Sequence, residues 1–201
     1  MNELLNGMLV LILVLNLFAL GTSRLLALIR IVAAQGVLLG IIPLLLHAQP
    51  TLPAGIAALA GIVLKGIVIP LVMIRALRAT QLKREIEPMI GFLPSLLLGA
   101  LATVCALLFS GQLPAAGGQA GALILPASIA CILTGFILLI TRYKAITQIV
   151  GYLVLENGVF IFGLLLVEAI PLVVEMGMLL DLFVGIFVIS IIVNRISQAF
   201  S

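Results

Sequence analysis

The chain is a succession of apolar runs, each close to the length that crosses a lipid bilayer. "LLNGMLVLILVLNLFALG" near the N-terminus and "SLLLGALATVCALLFSG" at mid-chain are two of them. A hydrocarbon core of ~30 Å needs about 20 apolar residues in an α-helix. Inside it every backbone N–H and C=O must be satisfied within the segment or in a closed barrel. These runs are continuous and do not alternate, which excludes a transmembrane β-barrel. The residues are 64% hydrophobic and only 8% charged, whereas about a quarter are charged in a soluble domain. The expected fold is therefore an all-α integral membrane protein.

About seven spans of bilayer length are expected, near residues 4–22, 25–46, 54–77, 88–110, 119–140, 146–167 and 172–195. The breaks between them carry turn and polar signals, among them "GTSR", "HAQPTLP", "SGQLPAAGGQ", "TRYK" and "EAIP". Lys and Arg in short loops favour the cytoplasmic side. Arg24 and Arg30 follow the first span, Arg75, Arg78, Lys83 and Arg84 the third, and Arg142 and Lys144 the fifth, while Arg195 ends the seventh. The loops after the second, fourth and sixth spans hold no Lys or Arg. The alternation puts the N-terminus outside, the C-terminus in the cytoplasm, and every basic residue except Lys65 on one side. A secretory signal would begin basic. Here Glu3 is the first charge, so the first run reads as a retained helix.

The outer spans share a layout that predicts a parallel three-helix repeat. An apolar helix ends at a basic residue (Arg24; Arg142), and the next carries a polar group near its middle (Gln35; Glu156). A turn with Pro follows, then a helix with a mid-depth charge (Lys65; Asp181) that ends at Arg75 or Arg195. Residues 1–78 form the first unit of a single transmembrane domain. Residues 79–118 are a connector and a fourth helix, and residues 119–201 are the second unit. The connector "RALRATQLKREIEP" is the longest polar stretch and reads as a solvated loop.

Gln35, Lys65, Glu156, Asn157 and Asp181 fall at membrane depth. A charge at the centre of a spanning helix costs about 2.5–3.5 kcal/mol on insertion scales. Lys65 is roughly 16 Å from either end of its span at 1.5 Å per residue, too deep to snorkel. These groups must face other helices or water. In one reading Lys65 pairs with Glu156 or Asp181 and pins helices together. In the other the acids lie on a path for protons, and Lys65 modulates them, because intramembrane acids and bases mark ion pathways by default. The pinning reading leaves one carboxylate over.

Other residues weigh less. Pro70, five residues after Lys65, removes a helix hydrogen bond to the Gly66 carbonyl. Gly185, one turn after Asp181, leaves room for a neighbouring helix or for water. Glu175 suits a helix N-terminus or the outer mouth of a path through Asp181, and Glu168 reads as solvated. Cys105 and Cys131 lie in apolar runs and read as small packing residues. His47 stands alone, so no metal site is expected, and no phosphate loop or Cys/His cluster occurs.

"TQIVGYLVLENGVFIFGLLL", "VVEMGMLLDLFVGIFVISIIVNRI" and "AGIVLKGIVIPLVM" together resemble the hydrogenase-4 component E family over most of the chain. The last three spans are similar to the small K subunit of respiratory complex I and to the C subunit of multisubunit cation/proton antiporters. The resemblance implies a non-catalytic membrane subunit of a complex I-like assembly in a bacterial or archaeal cytoplasmic (inner) membrane. It implies antiporter-like membrane partners, an H-like membrane partner of the same complex, and a peripheral redox arm. Iron–sulfur clusters and a nickel–iron centre would sit in those partners, with no cofactor in this chain. Glu156 and Asp181 match the two acids of the K-subunit proton path. Asp181 is one methylene shorter than the usual glutamate, and Asn157 follows Glu156 directly. A scaffold protein of the complex, a component of a related cation/proton antiporter and a small independent transporter are the alternatives.

Overall fold

A computed structural model describes residues 2–46, 52–79, 86, 89–112, 123–166, 183 and 190. Helix α1 spans Asn2–Gly21 and α2 spans Leu25–Leu46. Helix α3 (Leu52–Gly61) runs without a break through a π-helical segment, Ile62–Val68, into α4 (Ile69–Ala79). Helices α5 (Phe92–Gln112), α6 (Ile124–Thr141) and α7 (Ala145–Leu164) follow. Counting α3 to α4 as one rod, the described residues hold 6 helices long and apolar enough to cross a membrane. They are six of the expected spans, with ends shifted by a few residues. Apart from residues 183 and 190 the seventh lies outside the described residues, and with it Glu175, Asp181 and Gly185, as do His47 and Glu168.

Apart from α4, which carries Arg75 and Arg78, the α-helices are nearly uniformly apolar around their circumference, as expected where both lipid and protein neighbours are greasy. Packing is therefore decided by shape. Helices α6 and α7 form the tightest pair, and glycine is the reason. A Cβ on Gly135 would lie 2.5 Å from the Leu155 backbone nitrogen, and one on Gly158 2.6 Å from that of Ile132. Small residues let spanning helices approach this closely. Helix α1 packs on α2, α5 and α6, and α2 also packs on α7 and on the π-helical segment. The apolar core runs through all of them, with Leu9, Ile12, Leu28, Met73, Leu138 and Ile161 fully buried. Helix α5 stays at the edge, with Leu93, Leu97, Leu101 and Leu108 exposed, as suits a lipid-facing rod.

The turns after α1, α4 and α6 meet at one end of the bundle. The Ile86 N–H donates to the Ser23 carbonyl at 2.9 Å and the Met89 N–H to the Thr141 carbonyl at 2.8 Å. Arg142 is expected from the sequence as a basic residue in the short loop after the fifth span. It is buried, with Nη2 donating to the Leu20 carbonyl at 2.8 Å and the guanidinium 5.3 Å from the Phe92 ring centroid. It thus caps the C-terminus of α1, where a cation meets carbonyls that lack helical partners. Burial lowers its pKa from the ordinary value. The capped carbonyl and the aromatic face offset the cost of holding that charge away from water.

Candidate functional site

The site begins with a local distortion. The Ile69 N–H donates to the Leu64 carbonyl, five residues back, which is the π-helical register. In that register the carbonyl opposite the missing N–H of Pro70 is Lys65, rather than Gly66 as an undistorted α-helix requires. Such widened turns are frequent at functional sites, and this one is centred on Lys65. Helix α2 fits against it through Gly36 and Gly40, one turn apart. A Cβ at Gly36 would lie 2.8 Å from the Lys65 Cβ and 3.0 Å from its carbonyl carbon. Any other residue at 36 would push α2 off the distorted turn.

Lys65 points into the bundle, 8% exposed. Its Nζ lies 3.4 Å from Glu156 Oε1 on α7 and 3.5 Å from Asn157 Oδ1 on the same helix. The Phe160 ring, one turn further along α7, stands 5.8 Å away. From Asn157 a chain of amides crosses the bundle. Asn157 Nδ2 donates to Gln35 Oε1 at 3.4 Å, and Gln35 Nε2 donates to Asn16 Oδ1 at 2.8 Å. Cys131 Sγ donates to the Val154 carbonyl at 3.2 Å and approaches Asn16 Oδ1 at 3.6 Å. Every amide in this chain turns its oxygen toward the preceding donor, beginning with the lysine ammonium. Aligned dipoles of this kind strengthen one another in a low-dielectric interior.

Of the residues singled out from sequence, Lys65, Glu156, Asn157 and Gln35 therefore meet in one place, and Pro70 sits beside them. Two members were missed. Asn16 is a lone amide in "LVLNLF", fully buried, and its depth in an apolar run was the available signal. Cys131 is also more than a packing residue, because its thiol donates. Among the described residues no group of three or more His, Cys, Asp or Glu side chains forms a metal site. A cavity of about 10 Å³, measured as room for the centre of a water molecule, lies beside the pair. Val32, Lys65, Ile69, Leu153 and Asn157 line it.

Chemically the arrangement brings a carboxylate and an ammonium into contact among the described residues, largely out of bulk water, with a neutral amide network behind them. Among the described residues it has no nucleophile and base in a catalytic relation. It can hold, exchange or move charge.

No family profile matches the chain, and no solved structure matches it. The chain is 33% identical over 181 residues, 87% of its own length and 80% of the other's, to a protein of Mycobacterium tuberculosis (strain ATCC 25618 / H37Rv) described as uncharacterized protein Rv0085. With that identity over most of both sequences, the chain belongs to the same family as the mycobacterial protein Rv0085.

Proposed function

We propose that this chain is a membrane component of a complex I-like, hydrogenase-4-type assembly, and that it contributes to moving protons or sodium ions across a bacterial or archaeal cytoplasmic membrane. The observation that carries the reading is the Lys65–Glu156 pair, 3.4 Å apart and nine-tenths buried at the middle of two spanning helices. Ionisable groups at that depth are costly, and those that persist line pathways or pair with one another. The π-helical turn around Lys65 is a distortion of a kind frequent at functional sites. In this reading Glu156 carries the proton and Asp181 is the next carrier. Lys65 alters the affinity of Glu156 as their separation changes. Redox chemistry belongs to partner proteins with iron–sulfur and nickel–iron centres, and the resemblance of the Lys65, Glu156 and Asp181 segments to hydrogenase-4 component E supports such partners.

The test is Glu156→Gln in the intact complex, with ion translocation and electron transfer followed in the same membrane vesicles. Loss of translocation from a complex that still assembles is the expected result. Unchanged translocation sinks the carrier role. The amide chain favours a second reading, in which the polar residues are helix glue in a scaffold protein. That reading expects the Lys65→Met, Glu156→Gln double variant to keep both assembly and translocation.

A further inference from the structure

The cavity beside Lys65 is placed to one side of the ion pair, and all its apolar walls agree on which side. Val32 lies three residues before Gln35 on α2, Ile69 four after Lys65, and Leu153 four before Asn157 on α7. Each displacement runs toward the end of the bundle that carries Arg24, Arg75, Arg78 and Arg142. One turn further along the same three faces stand Leu28, Met73 and Val150, each at most 1% exposed. Residues three or four apart share a helix face, so these three continue the cavity's apolar walls toward the basic end, as buried members of one core cluster. From Leu153 to the start of α7 is about 12 Å at 1.5 Å per residue.

A water molecule needs about 10–15 Å³ of such room and two or more polar partners. The cavity supplies about 10 Å³, and two of its lining residues, Lys65 and Asn157, carry polar groups. Across the bundle from the pair, among the described residues, runs the amide row of Asn157, Gln35 and Asn16, and Asn157 also lines the cavity. A primary amide donates and accepts hydrogen bonds, but it does not titrate. Passing a proton along that row would require each amide to give up an N–H.

We infer that the cavity is a binding site for a single water molecule, the contact through which the Lys65–Glu156 pair exchanges protons with the basic end, and that Leu28, Met73 and Val150 gate it by excluding further water. The purpose assigned to this water rests on the proton-path reading; its presence does not.

Radiolytic hydroxyl labelling of the full chain in nanodiscs tests the inference directly, because radicals formed from bound water oxidise the side chains beside it. Leu153 and Ile69 are expected to be labelled several-fold more than Leu28 and Ile29, which are equally apolar and equally buried one turn away. Val32→Phe fills the cavity and is expected to abolish the label on Ile69 and Leu153. Val150→Ser is expected to let ¹⁸O-water replace the bound water faster, with Ile69 as reporter. Equal, low labelling at all four wild-type positions means a dry cavity and overturns the inference without requiring any variant to fold. High labelling at all four means a continuous water column and overturns the gate. A labelled cavity together with unchanged translocation in Glu156→Gln leaves the water site standing and removes only the proton-path reading.

Discussion

Replacing Lys65 by Met separates the energetic role of the ion pair from every other feature of the site. Methionine keeps the length and most of the packing of the lysine stem and removes the charge. At 3.4 Å, two unit charges attract by about 5 kcal/mol when the effective dielectric constant is 20. Truncating one partner of a buried pair typically costs about 3–5 kcal/mol, because the other charge stays in place without its counter-ion. Both routes place the loss in Lys65→Met near 4 kcal/mol. Removing both charges is different. A buried pair replaced by neutral groups of similar volume is often close to neutral, since the desolvation of two ions is also removed. Lys65→Met, Glu156→Gln should therefore recover most of the loss, with a coupling of about 3 kcal/mol in the double-mutant cycle. Reversible unfolding of the chain in bicelles, followed for wild type, both single variants and the double variant, gives the four corners of the cycle. If Lys65→Met is as stable as wild type, or the double variant no better than the single, the pair is not held as a desolvated contact and the account of the site fails.

Other substitutions probe the surroundings. Gly135→Ala should destabilise by about 1–3 kcal/mol in the same unfolding assay, because the new methyl meets the Leu155 backbone at 2.5 Å, whereas Gly7→Ala, with nothing within 4 Å, should not destabilise. Asn16→Leu leaves the Gln35 amide without its acceptor and should cost about 1–3 kcal/mol; a fully stable variant would show that the amide chain carries no energy. Arg142→Gln loses a charged hydrogen bond to Leu20 and the Phe92 contact. It should destabilise by about 1.5–3 kcal/mol less whatever desolvation the arginine no longer suffers. Because burial lowers the Arg142 pKa, the charged form opposes folding at neutral pH. That opposition is relieved only as pH rises through the lowered value, so the Arg142→Gln deficit should grow on the alkaline side and not on the acidic side of neutrality, as thermal melts across pH will show.

The amino-acid sequence by itself determined the class of the protein, the positions of its described spans and most of its site. Those follow from solvent physics that acts one segment at a time. A run of about 20 apolar residues is a spanning helix wherever it packs, and a charge inside such a run must find company. Hence Gln35, Lys65, Glu156 and Asn157 were legible one by one. Which of them touch was not, because spanning helices surrounded by lipid carry no polar face to announce their neighbours. The tertiary structure decided that Lys65 pairs with Glu156, and that Asn157, Gln35 and Asn16 continue the contact across α7, α2 and α1. Asn16 was overlooked because one amide in an apolar run has no spacing pattern. The burial of Arg142 was equally hidden, since a basic residue in a short loop obeys the same charge rule whether it faces water or caps a neighbouring helix. The π-helical turn at Lys65 lay beyond any local rule, because it depends on a proline two residues past its end and on a glycine of another helix. In this membrane protein the composition of each segment dictates depth, while shape, through Gly36, Gly135 and Gly158, decides partnership. Backbone can approach backbone only where no Cβ intervenes.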